Sequence, residues 1–138
     1  MKFISKTEKD TFNFAKNIAK DFKGGEIISL VGDLGAGKTV FSQGVASGLG
    51  IKEKVNSPTF VVMKIYDVSN NDIKIFCHVD AYRLSSFAEL EAIGISDYLG
   101  QKDVVTVIEW ANKVSSGLPD NVIKYKLSHK SEEREIEG

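Results

Sequence analysis

Gly32-Asp33-Leu34-Gly35-Ala36-Gly37-Lys38-Thr39 satisfies the pattern G-x-x-x-x-G-K-[ST] at every fixed position, and its flanks decide what the match means. Upstream, Glu26-Ile27-Ile28-Ser29-Leu30-Val31 is a β-branched apolar run that reads as a buried strand. Downstream, Phe41, Val45 and Leu49 recur every four residues and lay one apolar stripe on a helix ending near Gly50. Strand, glycine loop and helix in that order are the frame a phosphate cradle requires. Gly32, Gly35 and Gly37 carry no Cβ, so the backbone can bend through crowded dihedrals and press its N–H groups on an anion. Lys38 brings a mobile charge to the outer phosphates, and the Thr39 hydroxyl can enter the shell of a Mg²⁺. The helix opening after Lys38 adds partial positive charge at the same place. Asp33, Gly35, Ala36, Gly37, Lys38, Thr39 and Val40 are therefore the expected nucleotide cradle.

A chain of 138 residues, 42% hydrophobic and 27% charged, suits one globular domain over residues 1–138, with one substantial core. A net charge of −1 argues against a free-standing nucleic-acid binder, because phosphate backbones select proteins with a basic face. Among the 18 basic residues only Arg83 and Arg134 are arginines, which limits the candidates for a guanidinium fork. A lone Cys77 excludes an internal disulfide and suits a reducing compartment. No apolar run approaches the ~20 residues of a membrane span, and no signal-peptide core opens the chain. A cytoplasmic protein without membrane attachment is expected.

Around the loop, Thr7-Glu8-Lys9-Asp10 resembles a capping box, and Phe14, Ala15, Ile18, Ala19 and Phe22 follow at helical spacing until Gly24-Gly25. Thr11 on this helix either touches a nucleotide base or faces solvent, as helical threonines usually do. Pro58 keeps Ser57 out of the helical region, so residues 55–59 form a turn into a strand over Phe60–Tyr66. Ser57 and Thr59 are either plain turn residues or hydroxyls of a phosphate-sensing switch. Ile73–Val79 reads as a strand ending at Asp80, Ser86–Ile93 as a capped short helix, and Val104–Ile108 as a strand apolar on both faces. Asn121–Leu127 alternates as an edge strand with one wet face would, and the charged tail from Lys130 reads as frayed or as a short last strand at Glu133–Ile136.

A glycine loop holds phosphates but does not hydrolyse them; metal and water need a carboxylate at the carboxyl end of a neighbouring buried strand. Asp80 and Glu109 qualify, and Glu109 is preferred because its strand is apolar on both faces. Lys38, Asp80 and Glu109 are the expected catalytic residues, with Thr39 and Glu109 on the metal. His78 and Cys77 read as strand packing, since a lone His–Cys pair is poor metal-ligand evidence. Guanine specificity is disfavoured: Asn112-Lys113 has Ser115 where N-K-x-D needs an aspartate, which leaves ATP as the default nucleotide. A small-molecule kinase would want several lid arginines to clamp the transferred phosphate.

Gly32–Thr39, Ser57-Pro58-Thr59-Phe60, His78-Val79-Asp80-Ala81-Tyr82-Arg83-Leu84 and Ile108-Glu109-Trp110, in this order, resemble the bacterial TsaE (YjeE) family, the ATPases of tRNA N6-threonylcarbamoyladenosine biosynthesis. The resemblance runs from Thr11 to Arg134, with Val79 and Ala81 standing where the family usually has larger apolar residues. It implies an α/β three-layer P-loop NTPase fold, with a mixed, mostly parallel central sheet and helices on both faces. It further implies weak hydrolysis of ATP by the isolated protein, Mg²⁺ on the positions of Thr39 and Glu109, phosphate contact at Lys38, and Trp110 beside the nucleotide. The implied partners are TsaD, on whose side it docks, and TsaB, with tRNA reached only through that complex. By the same resemblance Ser57 and Thr59 belong to the nucleotide site. A nucleotide-gated adaptor without essential hydrolysis is the alternative, and a small-molecule kinase the weaker one.

Overall fold

The computed structural model describes residues 1–58, 61–70 and 72–138. Strands β1 (Lys2–Ser5), β2 (Ile27–Gly32), β3 (Met63–Asp67), β4 (Ile75–Asp80), β5 (Val104–Glu109), β6 (Ile123–Lys130) and β7 (Glu133–Glu137) form one sheet in the order β1-β7-β6-β2-β5-β4-β3. Helices α1 (Glu8–Ala19), α2 (Lys38–Gly48) and α3 (Phe87–Ala92) connect them, with single 3₁₀ turns at Ile95–Asp97, Ala111–Lys113 and Ser115–Gly117. β6, β2, β5 and β4 pair in parallel, and β7 and β3 run against them. β1, antiparallel to β7, shares the direction of the parallel block. The sheet is mixed, with its parallel core beside the glycine loop.

Alternate residues of each central strand point to two separate cores. On one face Ile28, Leu30, Val105, Val107 and Leu127 meet Ala15 and Ala19 of α1 and Phe41, Val45 and Leu49 of α2. On the other, Cys77, Val79 and Ile108 meet Leu90 of α3, Ile95 and Ala111 of the 3₁₀ segments, and Val114 between the last two of them. Helical cover on both faces completes three layers. α1 begins where Thr7 Oγ1 accepts the Asp10 N–H at 3.1 Å, and Asp10 in turn accepts the Lys6 N–H at 2.9 Å. The second expected cap forms by half: Glu89 accepts the Ser85 N–H at 2.9 Å, while the Ser86 hydroxyl makes no capping bond.

Three expectations change. Asn121–Leu127 is not an edge: β6 lies between β2 and β7. Its wet positions, Lys124 and Lys126, are exposed on the part of the opposite face that α3 and the 3₁₀ turns leave uncovered, whereas Tyr125 and Leu127 pack towards α1 and α2. The tail is not frayed either, since Ile136 is fully buried and β7 bonds to both β6 and β1. The expected strand over Phe60–Tyr66 begins at Met63; Phe60 lies outside the described residues, and Val62 turns back with φ 67°.

Candidate nucleotide-binding site

The parallel strands deliver Gly32, Asp80 and Glu109 to one end of the sheet, the end where open α/β sheets bind ligands. At Gly32 φ is 149° and a Cβ would stand 2.1 Å from the Leu127 carbonyl oxygen, so β6 approaches too closely for any other residue. Gly37, with φ 102°, is the N-cap of α2 and turns the chain into the helix. Asp33 and Ala36 serve through the backbone, the Ala36 N–H donating to the Asp33 carbonyl at 3.1 Å, and the Ala36 side chain is buried. Val40, Gly35 and Gly37 line the cavities on either side of the loop.

Lys38 Nζ donates to the carbonyls of Gly32 and Asp33, each at 2.7 Å, and lies 4.0 Å from the centroid of the Trp110 ring. Trp110 reaches that position because its own backbone is left-handed, φ 58°, directly after Glu109. The Trp110 ring in turn packs against Tyr82 at 4.9 Å. Burial pushes the Lys38 ammonium below the ordinary lysine range, and the charges of Glu109, Asp33 and Asp80 pull against that shift. The lysine is a partly desolvated cation held in a stirrup of carbonyls, short of anionic partners.

Glu109 carries the densest contacts. Its Oε1 accepts from Thr39 Oγ1 at 3.0 Å; its Oε2 accepts from Ser42 Oγ at 3.0 Å and stands 2.5 Å from His78 Nε2. A carboxylate and a hydroxyl facing each other at 3.0 Å suit a hard cation. Neighbouring oxygens in an octahedral shell of 2.0–2.1 Å radius lie about 3.0 Å apart. Among the described residues no group of three or more His, Cys, Asp or Glu side chains is placed to hold a metal. The protein thus offers such an ion two oxygens, in keeping with a Mg²⁺ that takes its remaining ligands from phosphate and water. Asp80 sits beside Glu109 in register but is engaged elsewhere: Ser57 Oγ donates to its Oδ2 at 2.9 Å and the Tyr82 N–H to its Oδ1 at 3.0 Å. Lys38, Thr39, Ser57, Asp80, Glu109 and Trp110 share a cavity of about 390 Å³. Thr59, the other proposed switch hydroxyl, lies outside the described residues.

A second cavity, of about 240 Å³, adjoins the first through Glu8, Gly35, Gly37 and Val40. Thr11 and Arg134 line it. The solvent-facing alternative for Thr11 does not hold, because the residue is 2% exposed and its hydroxyl lies 2.6 Å from Ser5 Oγ. Arg134 Nε donates to the Gly35 carbonyl at 3.3 Å, tying the hairpin of β6 and β7 to the loop. Ser42 and His78 are the site residues that sequence reading missed. Ser42 follows Thr39 by three residues and so shares its helix face, a legible signal. Strand packing alone does not describe His78, because His78 and Asp80 alternate along β4 on the face that bears Glu109.

Residues 5–136 match the family model described as "Threonylcarbamoyl adenosine biosynthesis protein TsaE". A Bacillus subtilis (strain 168) protein named "tRNA threonylcarbamoyladenosine biosynthesis protein TsaE" is 36% identical over 99% of this chain and 83% of its own length. Proteins of the same name from Treponema pallidum and Borreliella burgdorferi are 34% and 39% identical, covering 92% and 83% of this chain and 90% and 80% of their own. The crystal structure of Bacillus subtilis YdiB superposes with a TM-score of 0.79 at 32% identity, over 99% of this chain and 82% of that one.

Proposed function

The chain belongs to the TsaE family of tRNA threonylcarbamoyladenosine biosynthesis, and from that premise we propose that it is a Mg²⁺-dependent ATPase. It is weak alone, and its turnover supports repeated modification of tRNA A37 by a TsaD–TsaB complex in the cytoplasm. The observation that carries the reading is the 3.0 Å approach of Glu109 to Thr39 at the head of α2, beside the glycine loop. Backbone N–H groups of Gly35 to Thr39 and the α2 N-terminus orient the phosphates, and Lys38 leaves its carbonyl stirrup to meet their charge. Thr39 and Glu109 would hold the Mg²⁺, which when bound would supply positive charge against the phosphate oxygens. Asp80, held by Ser57 and the Tyr82 N–H, is the carboxylate available to orient the attacking water. Thr11, Val40 and Arg134 line the adjoining cavity, which receives the nucleoside end. Trp110 shields Lys38 and the phosphate side from solvent.

Exposed apolar side chains support the need for a partner. Leu34 at the loop tip is 77% exposed and Tyr82 is 50% exposed, and both border the phosphate cavity. With a net charge of −1, the protein meets tRNA through its complex rather than directly.

Multi-round tRNA modification in a reconstituted system, with ATP binding measured in parallel, tests the assignment. Lys38→Ala loses binding or turnover; Glu109→Gln retains ATP yet loses hydrolysis and repeated rounds. Full multi-round yield from a Glu109→Gln protein that binds ATP and does not hydrolyse it replaces the ATPase by a nucleotide-gated adaptor. Normal hydrolysis by Lys38→Ala with partners present removes the assignment altogether.

A further inference from the structure

We propose that Ser42 and His78 are positioning residues for the metal: together they occupy one oxygen of Glu109 so that its other oxygen is presented to Thr39 and the Mg²⁺. The division of the carboxylate carries this. Oε2 takes both Ser42 Oγ, at 3.0 Å, and His78 Nε2, at 2.5 Å, while Oε1 is left to Thr39. Glu109 is 2% exposed, so water cannot hold the carboxylate in place of these donors. The single Ser42 hydroxyl proton faces two acceptors at 3.0 Å, Glu109 Oε2 and the Lys38 carbonyl one helical turn back, and is shared between them. His78 is fully buried and its ring stacks on Phe76 with centroids 5.9 Å apart.

The other ring nitrogen sharpens the assignment. Nδ1 of His78 is buried with no hydrogen-bond partner among the described residues. A buried residue kept only for packing would be better served by an apolar side chain of similar size, with no polar atom left over. Among the described residues the ring has one polar contact, and it is Glu109. Because an ionised carboxylate can only accept, the donor in this contact is the His78 Nε2–H. Partners that orient a metal-binding side chain typically change metal affinity by 10- to 100-fold when removed. The inference rests on the Mg²⁺ reading above.

Binding of Mn²⁺ to the protein–ADP complex, read from the electron paramagnetic resonance of the free ion and competed with Mg²⁺, tests it. ADP affinity in EDTA and the melting temperature are followed alongside. His78→Leu and Ser42→Ala are expected to weaken Mn²⁺ binding by about tenfold and leave metal-free ADP affinity unchanged. His78→Gln, which can set an amide N–H near the place of Nε2, is expected to stay within about threefold of the parent protein. Parent-like Mn²⁺ affinity in Ser42→Ala and His78→Leu overturns the proposal, as does a His78→Gln protein as weak as His78→Leu. Should His78→Leu fail to fold, parent-like affinity in Ser42→Ala is enough to overturn it. A parent protein that binds ADP but no Mn²⁺ instead removes the Mg²⁺ reading itself, an outcome visible without any variant.

Discussion

Lys38 shows how one side chain is set up for its ligand. Its ammonium is partly desolvated and sits in carbonyl oxygens, which are weaker partners for a cation than phosphate oxygens. Burial moves its pKa down, with the neighbouring Glu109, Asp33 and Asp80 opposing. A bound triphosphate adds negative charge and shifts the same pKa upward, so binding favours the protonated lysine. The sign follows. Affinity for ATP is highest below the lowered pKa of the free protein and falls as the pH rises through it, before an ordinary lysine would titrate. Fluorescence titration of ATP binding across the alkaline range checks this. Lys38→Arg, whose guanidinium stays charged there, should flatten that alkaline decline while binding more weakly at neutral pH, because its fork does not fit a stirrup built for a point charge.

At the level of elements, α1 packs closely on α2, and the approach depends on two glycines. A Cβ on Gly44 would lie 2.3 Å from the Phe12 carbonyl oxygen and 2.8 Å from Ala15 Cβ; one on Gly48 would lie 2.4 Å from the Lys16 carbonyl oxygen. Helix propensity alone favours alanine over glycine by about 1 kcal/mol. Overpacking costs about 1–3 kcal/mol, and the obstacle here is backbone, which cannot rotate aside. The clash wins. Gly44→Ala should lower the stability measured by urea unfolding by about 1–2 kcal/mol, with an unchanged m-value. Sequence showed α2, β2 and β5 well, because Phe41, Val45 and Leu49 keep a four-residue spacing and Val104–Ile108 is apolar throughout. It concealed β1, whose four residues Lys2–Ser5 are too few to establish alternation. β6 misled because Lys124 and Lys126 report an uncovered sheet face, and the same alternation marks a true edge. The candidate site followed a similar division. Gly32–Thr39 and Glu109 were legible from spacing and strand ends, whereas His78 depended on β4 lying beside β5, a long-range pairing that no local pattern encodes.

Across the whole molecule, the central sheet couples the nucleotide end to global stability. Cys77 is fully buried in β4, in a core shared with Ile27 of β2, Val104 and Ile108 of β5 and Leu90 of α3. Burial pushes its thiol up to about 12, so the native thiol is both inaccessible and neutral, and a thiol reagent must wait for opening. The linkage has a fixed sign. The raised value favours the native state fully below the unfolded thiol's value of 9.0, and that contribution is lost as the pH climbs from there toward about 12. The side chain is enclosed by the sheet on one side and by α3 and the 3₁₀ segments on the other, so global unfolding exposes it and at the same time dismantles the approach of Thr39 to Glu109 across α2 and β5. Where exposure follows that route, anything bound at the site slows labelling. With Mg²⁺ and ATP at 100 times the dissociation constant, the native state gains about 2.7 kcal/mol, equivalent to roughly a 100-fold slower reaction of Cys77. Labelling by a chromogenic disulfide with and without nucleotide measures this directly. A full 100-fold protection ties the thiol to the same cooperative unit as the site. Protection of less than about threefold means that the layer over β4 opens by itself, with the glycine loop still folded.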